Sequence, residues 1–177
     1  MSHVKNKVEW CLRKAEREWG GKGKHRGLVT VPPDHHEAQN HVTKSEHYLK
    51  ASLYLHDGKY SDICASTIFY SMYHCLLAIA ITFGYESKNQ ECTFALVKSL
   101  AEDGKIGFPP DLLDKIASFD AEEASSATSL EIREQFQYGT SLTLQENIYE
   151  ELKTIALDVL EKTKIELEKD VAGMDRL

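Results

Sequence analysis

Ile63 to Tyr85 reads ICASTIFYSMYHCLLAIAITFGY, 23 consecutive residues without Lys, Arg, Asp or Glu. This length would suit a bilayer span. However, the run contains several hydroxyl groups and His74, and its flanks show no bias toward Lys or Arg. A helix that is apolar all round in a water-soluble protein is a central bundle helix or one shared with a second subunit. We therefore predict a core helix over about residues 60–83 and no membrane contact.

Amphipathic periodicity places further helices on both sides of this run. Apolar residues recur at intervals of three and four in segments at about 4–19, 34–55, 87–102, 110–119 and 144–169. Asp34 is placed to cap the second of these helices, and Gly84 to end the central one. No segment shows the alternation of a β-strand. The sequence predicts an all-α fold, an up-and-down bundle with a four-helix core plus an N-terminal helix and short helices.

The charge of the 177-residue chain is uneven. Residues 1–30 carry eight Lys and Arg against three Glu, a net charge of +5, whereas the remainder carries 13 basic and 25 acidic residues, a net charge of −12. The body repels phosphate, so any nucleic acid must contact the basic arm or a local pocket. We expect residues 1–30 to form a helix and a mobile linker at Gly20–Gly27, and residues 31–172 to form the bundle domain.

The cysteines predict buried free thiols in a cytoplasmic protein. The four cysteines are Cys11, Cys64, Cys75 and Cys92. They show no CxxC spacing, and we expect no secretory leader before them. Metal binding is not indicated by the eight histidines either. His36 and His41 are five residues apart and point about 140° away from each other on a helix, unlike the two ligands of an HExxH motif. We predict no metal and no cofactor.

Three segments of the chain carry a resemblance to a known family. They are FYSMYHCLLA at 69–78, FGYESKNQ at 83–90 and REQFQYG at 133–139. Their order and composition resemble the HEPN superfamily, the nucleotide-binding domain of higher eukaryotes and prokaryotes, in its stand-alone archaeal and bacterial type. The resemblance covers about residues 34–169. It implies a helical bundle that dimerises through the central helix, binds nucleotide or RNA, and often accompanies a minimal nucleotidyltransferase, as in toxin–antitoxin pairs.

The resemblance also implies a site. Active members of the family cleave RNA without metal, using an Arg and a His with four to six residues between them. The His moves protons while the Arg stabilises the phosphate. His74 matches the His, but Thr67 stands where the Arg is expected, and its hydroxyl carries no charge. The candidate catalytic residue is therefore His74, and the candidate ligand-binding residues are Thr67, Tyr70, Arg133 and Tyr138.

The function expected from these observations is binding of a nucleotide or RNA by a protein with a degenerate ribonuclease motif. The resemblance also implies a partner of the minimal nucleotidyltransferase type. Two alternatives stay open: a metal-independent ribonuclease toxin that uses His74 with Arg133 or Tyr70, and a helical adaptor with no ligand. From the residues alone, His74 also fits an ordinary core histidine. We expect a homodimer packed through the apolar central helix, at Ile68, Tyr73, Leu76 or their neighbours.

Overall fold

The computed structural model describes residues 3–22, 26–117 and 127–174. In these ranges the chain forms seven helices and one two-stranded antiparallel sheet. The helices are α1 (His3–Lys22), α2 (His35–Asp57), α3 (Ser61–Thr82), α4 (Gln90–Glu102), α5 (Pro110–Ile116), α6 (Ser129–Tyr138) and α7 (Glu146–Met174). The strands are β1 (Leu28–Thr30) and β2 (Tyr85–Ser87). The predicted all-α class is confirmed.

Helix α3 is the centre of the bundle. It packs most extensively against α2 and also contacts α7, α6 and α4. Twelve of its residues are buried, including Phe69 and Met72, which are fully buried. Helix α3 is long and apolar enough to cross a membrane, and 61% of its most apolar 18-residue window is buried inside the fold. The absence of charge is thus accounted for by a core position, since a core helix passes the same length and hydropathy test.

Two of the residues that we expected at a dimer interface are buried within the chain. Ile68 and Leu76 are 0% exposed, because α2, α4, α6 and α7 together surround much of α3. The expectation of a dimer contact is therefore wrong at these two positions. Large exposed apolar side chains occur instead around the turn between α2 and α3, at Tyr54, Tyr60 and Ile63.

Local signals fix the ends of α2 and α3. The Asp34 carboxylate accepts a hydrogen bond from the Glu37 backbone N–H at 2.9 Å, so the predicted N-cap of α2 is confirmed. Gly84 follows α3 with φ of 78°, a left-handed conformation that favours glycine. A Cβ there would also lie 2.9 Å from the Val31 carbonyl oxygen. Gly84 therefore allows the chain to turn tightly into β2.

The N-terminal region differs from the expected mobile arm. Residues 20–22 continue α1, Gly27 is buried against the backbone of α1, and Leu28–Thr30 pairs with Tyr85–Ser87. The remaining linker residues, 23–25, lie outside the described residues. Strands of three residues are too short to show alternation, which is why the sequence did not indicate them. Helix α1 packs on α4 and β1.

A disulfide joins α1 to α4. Cys11 and Cys92 are bonded to each other, whereas Cys64 and Cys75 are buried free thiols. The prediction of buried free thiols is therefore confirmed for Cys64 and Cys75 and wrong for Cys11 and Cys92. The packing of α1 on α4 brings the Cα atoms of Cys11 and Cys92 to 5.8 Å, within the range of a disulfide. A sequence separation of 81 residues gives no sign of that proximity.

Candidate functional site

His74 faces α2 from the middle of α3. Its Nδ1 lies 2.9 Å from Nδ1 of His41, and its ring stacks on Tyr48 with centroids 5.5 Å apart. Both histidines are half-buried. Burial, followed by the positive charges of His41 and Lys44, lowers the pKa of His74 to about 4. Its ring is therefore neutral at pH 7.

Tyr70 shares one neighbour with His74. Its ring lies 5.9 Å from that of Tyr48, so Tyr70 and His74 contact the same α2 side chain, as expected for residues on one stripe of α3. Thr67 is also half-buried, but its hydroxyl donates to the Cys64 carbonyl oxygen at 3.0 Å within its own helix. That hydroxyl thus bonds the backbone of α3, a common arrangement for threonine in a helix.

Arg133 is held on a different side of α3. It is only 5% exposed, and its guanidinium carbon lies 5.0 Å from the centre of the Phe69 ring. Nη1 donates to the Gln137 side chain at 2.6 Å, and Nη2 donates to the Gln90 side chain at 3.3 Å. The Nε atom is buried without a hydrogen-bond partner. This arginine is a buried cation whose hydrogen bonds are incompletely satisfied.

The expected grouping of Arg133 with His74 is wrong. Phe69, which contacts Arg133, is five residues before His74, a rotation of about 140° around α3. The Phe69 face is directed to α4 through Phe94, whereas the His74 face is directed to α2. Tyr138 is 75% exposed at the end of α6. The predicted site residues therefore divide between two faces of the central helix.

The Arg133 side of the bundle has a cavity of about 570 Å³. It is lined by Lys88, Asn89, Gln90, Glu91, Phe94, Ala117 and Leu130. Gln90 both lines this cavity and accepts the hydrogen bond from Arg133. The structure thus brings together two segments that carried the family resemblance, FGYESKNQ at 83–90 and REQFQYG at 133–139.

The cavity combines a polar rim with an apolar wall. Asn89 caps α4, accepting from the Cys92 N–H at 3.0 Å, so the first turn of α4 begins at the rim. Lys88 is exposed and paired with Glu86 at 2.7 Å, and Glu91 is paired with Lys7. Phe94 and Leu130 are among the apolar lining residues. The arrangement can accept an anionic group near α4 and a flat apolar group beside it.

Several residues at these two places were not identified from the sequence. His41 and Tyr48 are seven residues apart on α2, a spacing that puts them on one face and could have paired them with the stripe on α3. Phe94 and Leu130 come from α4 and α6, and no sequence signal links them. Within the described ranges, no group of three or more His, Cys, Asp or Glu side chains could hold a metal ion.

No family model matches the chain, and no curated protein matches it significantly.

Proposed function

We propose that this protein is a HEPN-like binding protein whose ligand is a nucleotide or the end of an RNA, and that it lacks metal-independent ribonuclease activity. The observation that carries the proposal is the connection between Arg133 and the cavity. Arg133 contacts Gln90, and Gln90 lines a cavity beside Lys88 at the start of α4. The Lys88 ammonium and the N-terminus of α4 at the rim favour a phosphate-bearing ligand, and Arg133, paired with Glu134 at 3.5 Å, lies behind Gln90.

The cavity suggests how each part of such a ligand would be held. Backbone N–H groups in the first turn of α4 and the Lys88 ammonium would contact the phosphate. Phe94 and Leu130 would contact the base or the sugar. Arg133 is buried behind Gln90, so it would act by holding the Gln90 amide and by contributing positive charge. Arg133 is therefore a positioning residue in this proposal.

The surroundings of His74 argue against the ribonuclease alternative. An efficient general acid or base has a pKa near the working pH, whereas the pKa of His74 is lowered to about 4. Its Nδ1 bonds His41, the Thr67 hydroxyl bonds the helix backbone, and Arg133 lies on another face of α3. Thr67 therefore supplies no charge at the position of the family's Arg, and the cation near His74 is Lys44, whose ammonium lies 5.2 Å from the centre of the Tyr48 ring.

The test is binding of nucleoside monophosphates and triphosphates, measured by isothermal titration calorimetry. Lys88→Gln removes the cation at the cavity rim and should weaken binding at least fivefold. Lys50→Gln changes an exposed lysine on α2 and should leave binding unchanged. No nucleotide binding by the wild type would refute the cavity proposal and favour the adaptor. Cleavage of labelled RNA in the presence of EDTA, lost in His74→Gln, would establish the ribonuclease alternative instead.

The remaining expectations about partners and location belong to the same proposal. A homodimer and a minimal nucleotidyltransferase-type partner follow from the family resemblance, and a cytoplasmic location follows from the predicted thiols. The Cys11–Cys92 disulfide removes part of the thiol argument. Co-purification of a tagged nucleotidyltransferase encoded next to this protein would test the partnership.

A further inference from the structure

The solvent-facing side of α1 concentrates positive charge around one aromatic ring. Successive helical residues are rotated by about 100°. On that geometry, an arc of about 120° without Asp or Glu contains Lys7, Trp10, Arg13, Lys14 and Arg17. We call these five residues the α1 basic face. The opposite side of α1 carries Cys11 and Ala15, which are buried against the rest of the fold.

Trp10 is at the centre of the α1 basic face and is 37% exposed. The Lys7 ammonium lies 4.4 Å from the indole centroid, and the Lys14 ammonium lies 4.9 Å from it. An exposed aromatic ring between cations is the combination that binds single-stranded nucleic acid, because bases stack on the ring and phosphates contact the cations. The contact of a lysine ammonium with the Trp10 ring is a cation–π interaction. It is weaker than the stacking of a base on the same ring.

The charge distribution favours a polyanion on this face and not elsewhere. Helix α1 carries six Lys and Arg against three Glu, a net charge of +3, whereas the chain after residue 30 has −12, so a nucleic acid strand is attracted to α1 and repelled by the body. The α1 basic face is also held in a fixed place. The Cys11–Cys92 disulfide and the Lys5–Asp103 ion pair, at 2.6 Å, both fasten α1 to α4.

We propose that the α1 basic face binds single-stranded RNA, with Trp10 stacking on a base and Lys14 and Arg17 contacting phosphates. Lys7 to Arg17 spans about 15 Å of helix, which accommodates a short stretch of strand. The face also adjoins the cavity, since Lys7 pairs with Glu91, which lines it. This proposal concerns a strand on α1 and does not need the cavity to bind nucleotide.

The experiment measures fluorescence anisotropy of a labelled oligouridylate of about 12 nucleotides, within the range of known single-strand sites. Trp10→Ala keeps every charge and should weaken binding about tenfold, the effect of losing one stacked base. Lys14→Gln with Arg17→Gln should reduce the slope of log affinity against log salt by about 1.4, because two phosphate contacts are lost. The matched control is Lys50→Gln with Lys115→Gln, two exposed lysines on α2 and α5, which should bind as the wild type does.

Three results would overturn the proposal: unchanged binding by Trp10→Ala, equal weakening by the control pair, or binding of anionic lipid vesicles without binding of the oligouridylate. Thermal melting by circular dichroism checks that each exposed-residue variant is folded. Lys88→Gln separates this proposal from the cavity proposal. With an oligouridylate blocked at both termini, so that no RNA end can enter the cavity, Lys88→Gln should bind within twofold of the wild type while its mononucleotide binding is weakened, so failure of one proposal does not imply failure of the other.

Discussion

Nδ1 of His41 on α2 lies 2.9 Å from Nδ1 of His74 on α3. A hydrogen bond between two ring nitrogens needs one donor and one acceptor, so at least one of the two rings is neutral. The pair is half-buried and stacks on Tyr48 through His74. Burial also lowers the pKa of His41. The contact between α2 and α3 therefore includes at least one uncharged imidazole ring at neutral pH.

The first prediction is that stability falls as the pH is lowered from about 6.5 to about 4. In the unfolded chain His74 binds a proton below about 6.5, but in the fold its pKa is lowered to about 4. Between these values the unfolded state holds the extra proton, so acid favours unfolding. The upper limit for the loss of unfolding free energy from this group is about 3 kcal/mol. The loss should be smaller than this limit, because the ring is partly hydrated.

Urea denaturation at neutral and acidic pH measures this effect. His74→Gln should flatten the dependence in this range, because the titrating ring is gone. His36→Gln changes an exposed histidine on α2 and should leave the dependence as in the wild type. An identical slope in His74→Gln and the wild type would show that other groups are responsible.

The second prediction concerns the disulfide. Cys11→Ser with Cys92→Ser should lower the free energy of unfolding by about 2–5 kcal/mol, since the bond closes a long loop and limits the unfolded chain. Thiol titration of the unreduced, denatured protein should find two reactive thiols, Cys64 and Cys75. Four reactive thiols in that titration would mean that Cys11 and Cys92 are not bonded. Wild-type protein treated with dithiothreitol is the control, and its stability should match that of the double variant.

The third prediction is that a chain lacking residues 1–30 still melts cooperatively, but at a lower temperature. Helix α1 packs on α4 and β1, whereas the core around α3 is formed with α2, α6 and α7. Removing α1 exposes one side of α4 and deletes β1, which accounts for the lower melting temperature. Differential scanning calorimetry measures both properties. A broad, non-cooperative transition would show that α1 belongs to the folding unit and that the domain boundary near residue 30 is misplaced.

The sequence predicted the centre of this fold better than its periphery. The charge-free run from Ile63 to Tyr85 predicted a helix covered by other elements, and α3 is packed against four helices of the bundle. The disulfide and the β1–β2 pair depend on contacts between segments far apart in the chain, and periodicity within one segment carries no information about them. The sequence could not predict the separation of Arg133 from His74 for the same reason. It depends on the face of α3 against which α6 packs.

The fourth prediction is a homodimer, with a mass near twice 20.1 kDa by light scattering. Because Ile68 and Leu76 are buried, the apolar side chains around the α2–α3 turn are the more suitable contact surface. Ile63 is 44% exposed there, and Ile63→Lys should shift the protein toward monomer. Leu157→Lys changes a side chain on α7 that is 49% exposed and serves as the matched control. A wild-type mass near that of a single chain at micromolar concentration would contradict the prediction.

The fifth prediction separates the role of Arg133 in binding from its role in folding. Arg133→Ala should weaken nucleotide binding by about 1–3 kcal/mol, because the charge and the bond that holds Gln90 are both lost. It should also destabilise the fold, since the side chain is buried against Phe69. Binding is therefore measured by calorimetry well below the melting temperature of the variant.

Two further variants distinguish these roles. Gln90→Ala removes the cavity partner of Arg133 and should weaken nucleotide binding with a smaller loss of stability, because Gln90 is only half-buried. Gln137→Ala removes the other side-chain amide that Arg133 contacts, at 2.6 Å, and this residue does not line the cavity. It should alter stability and leave the affinity for nucleotide unchanged. Equal affinity for nucleotide in Gln90→Ala and the wild type would mean that Arg133 stabilises the fold only. Nucleotide binding would then not depend on the bond between Arg133 and Gln90.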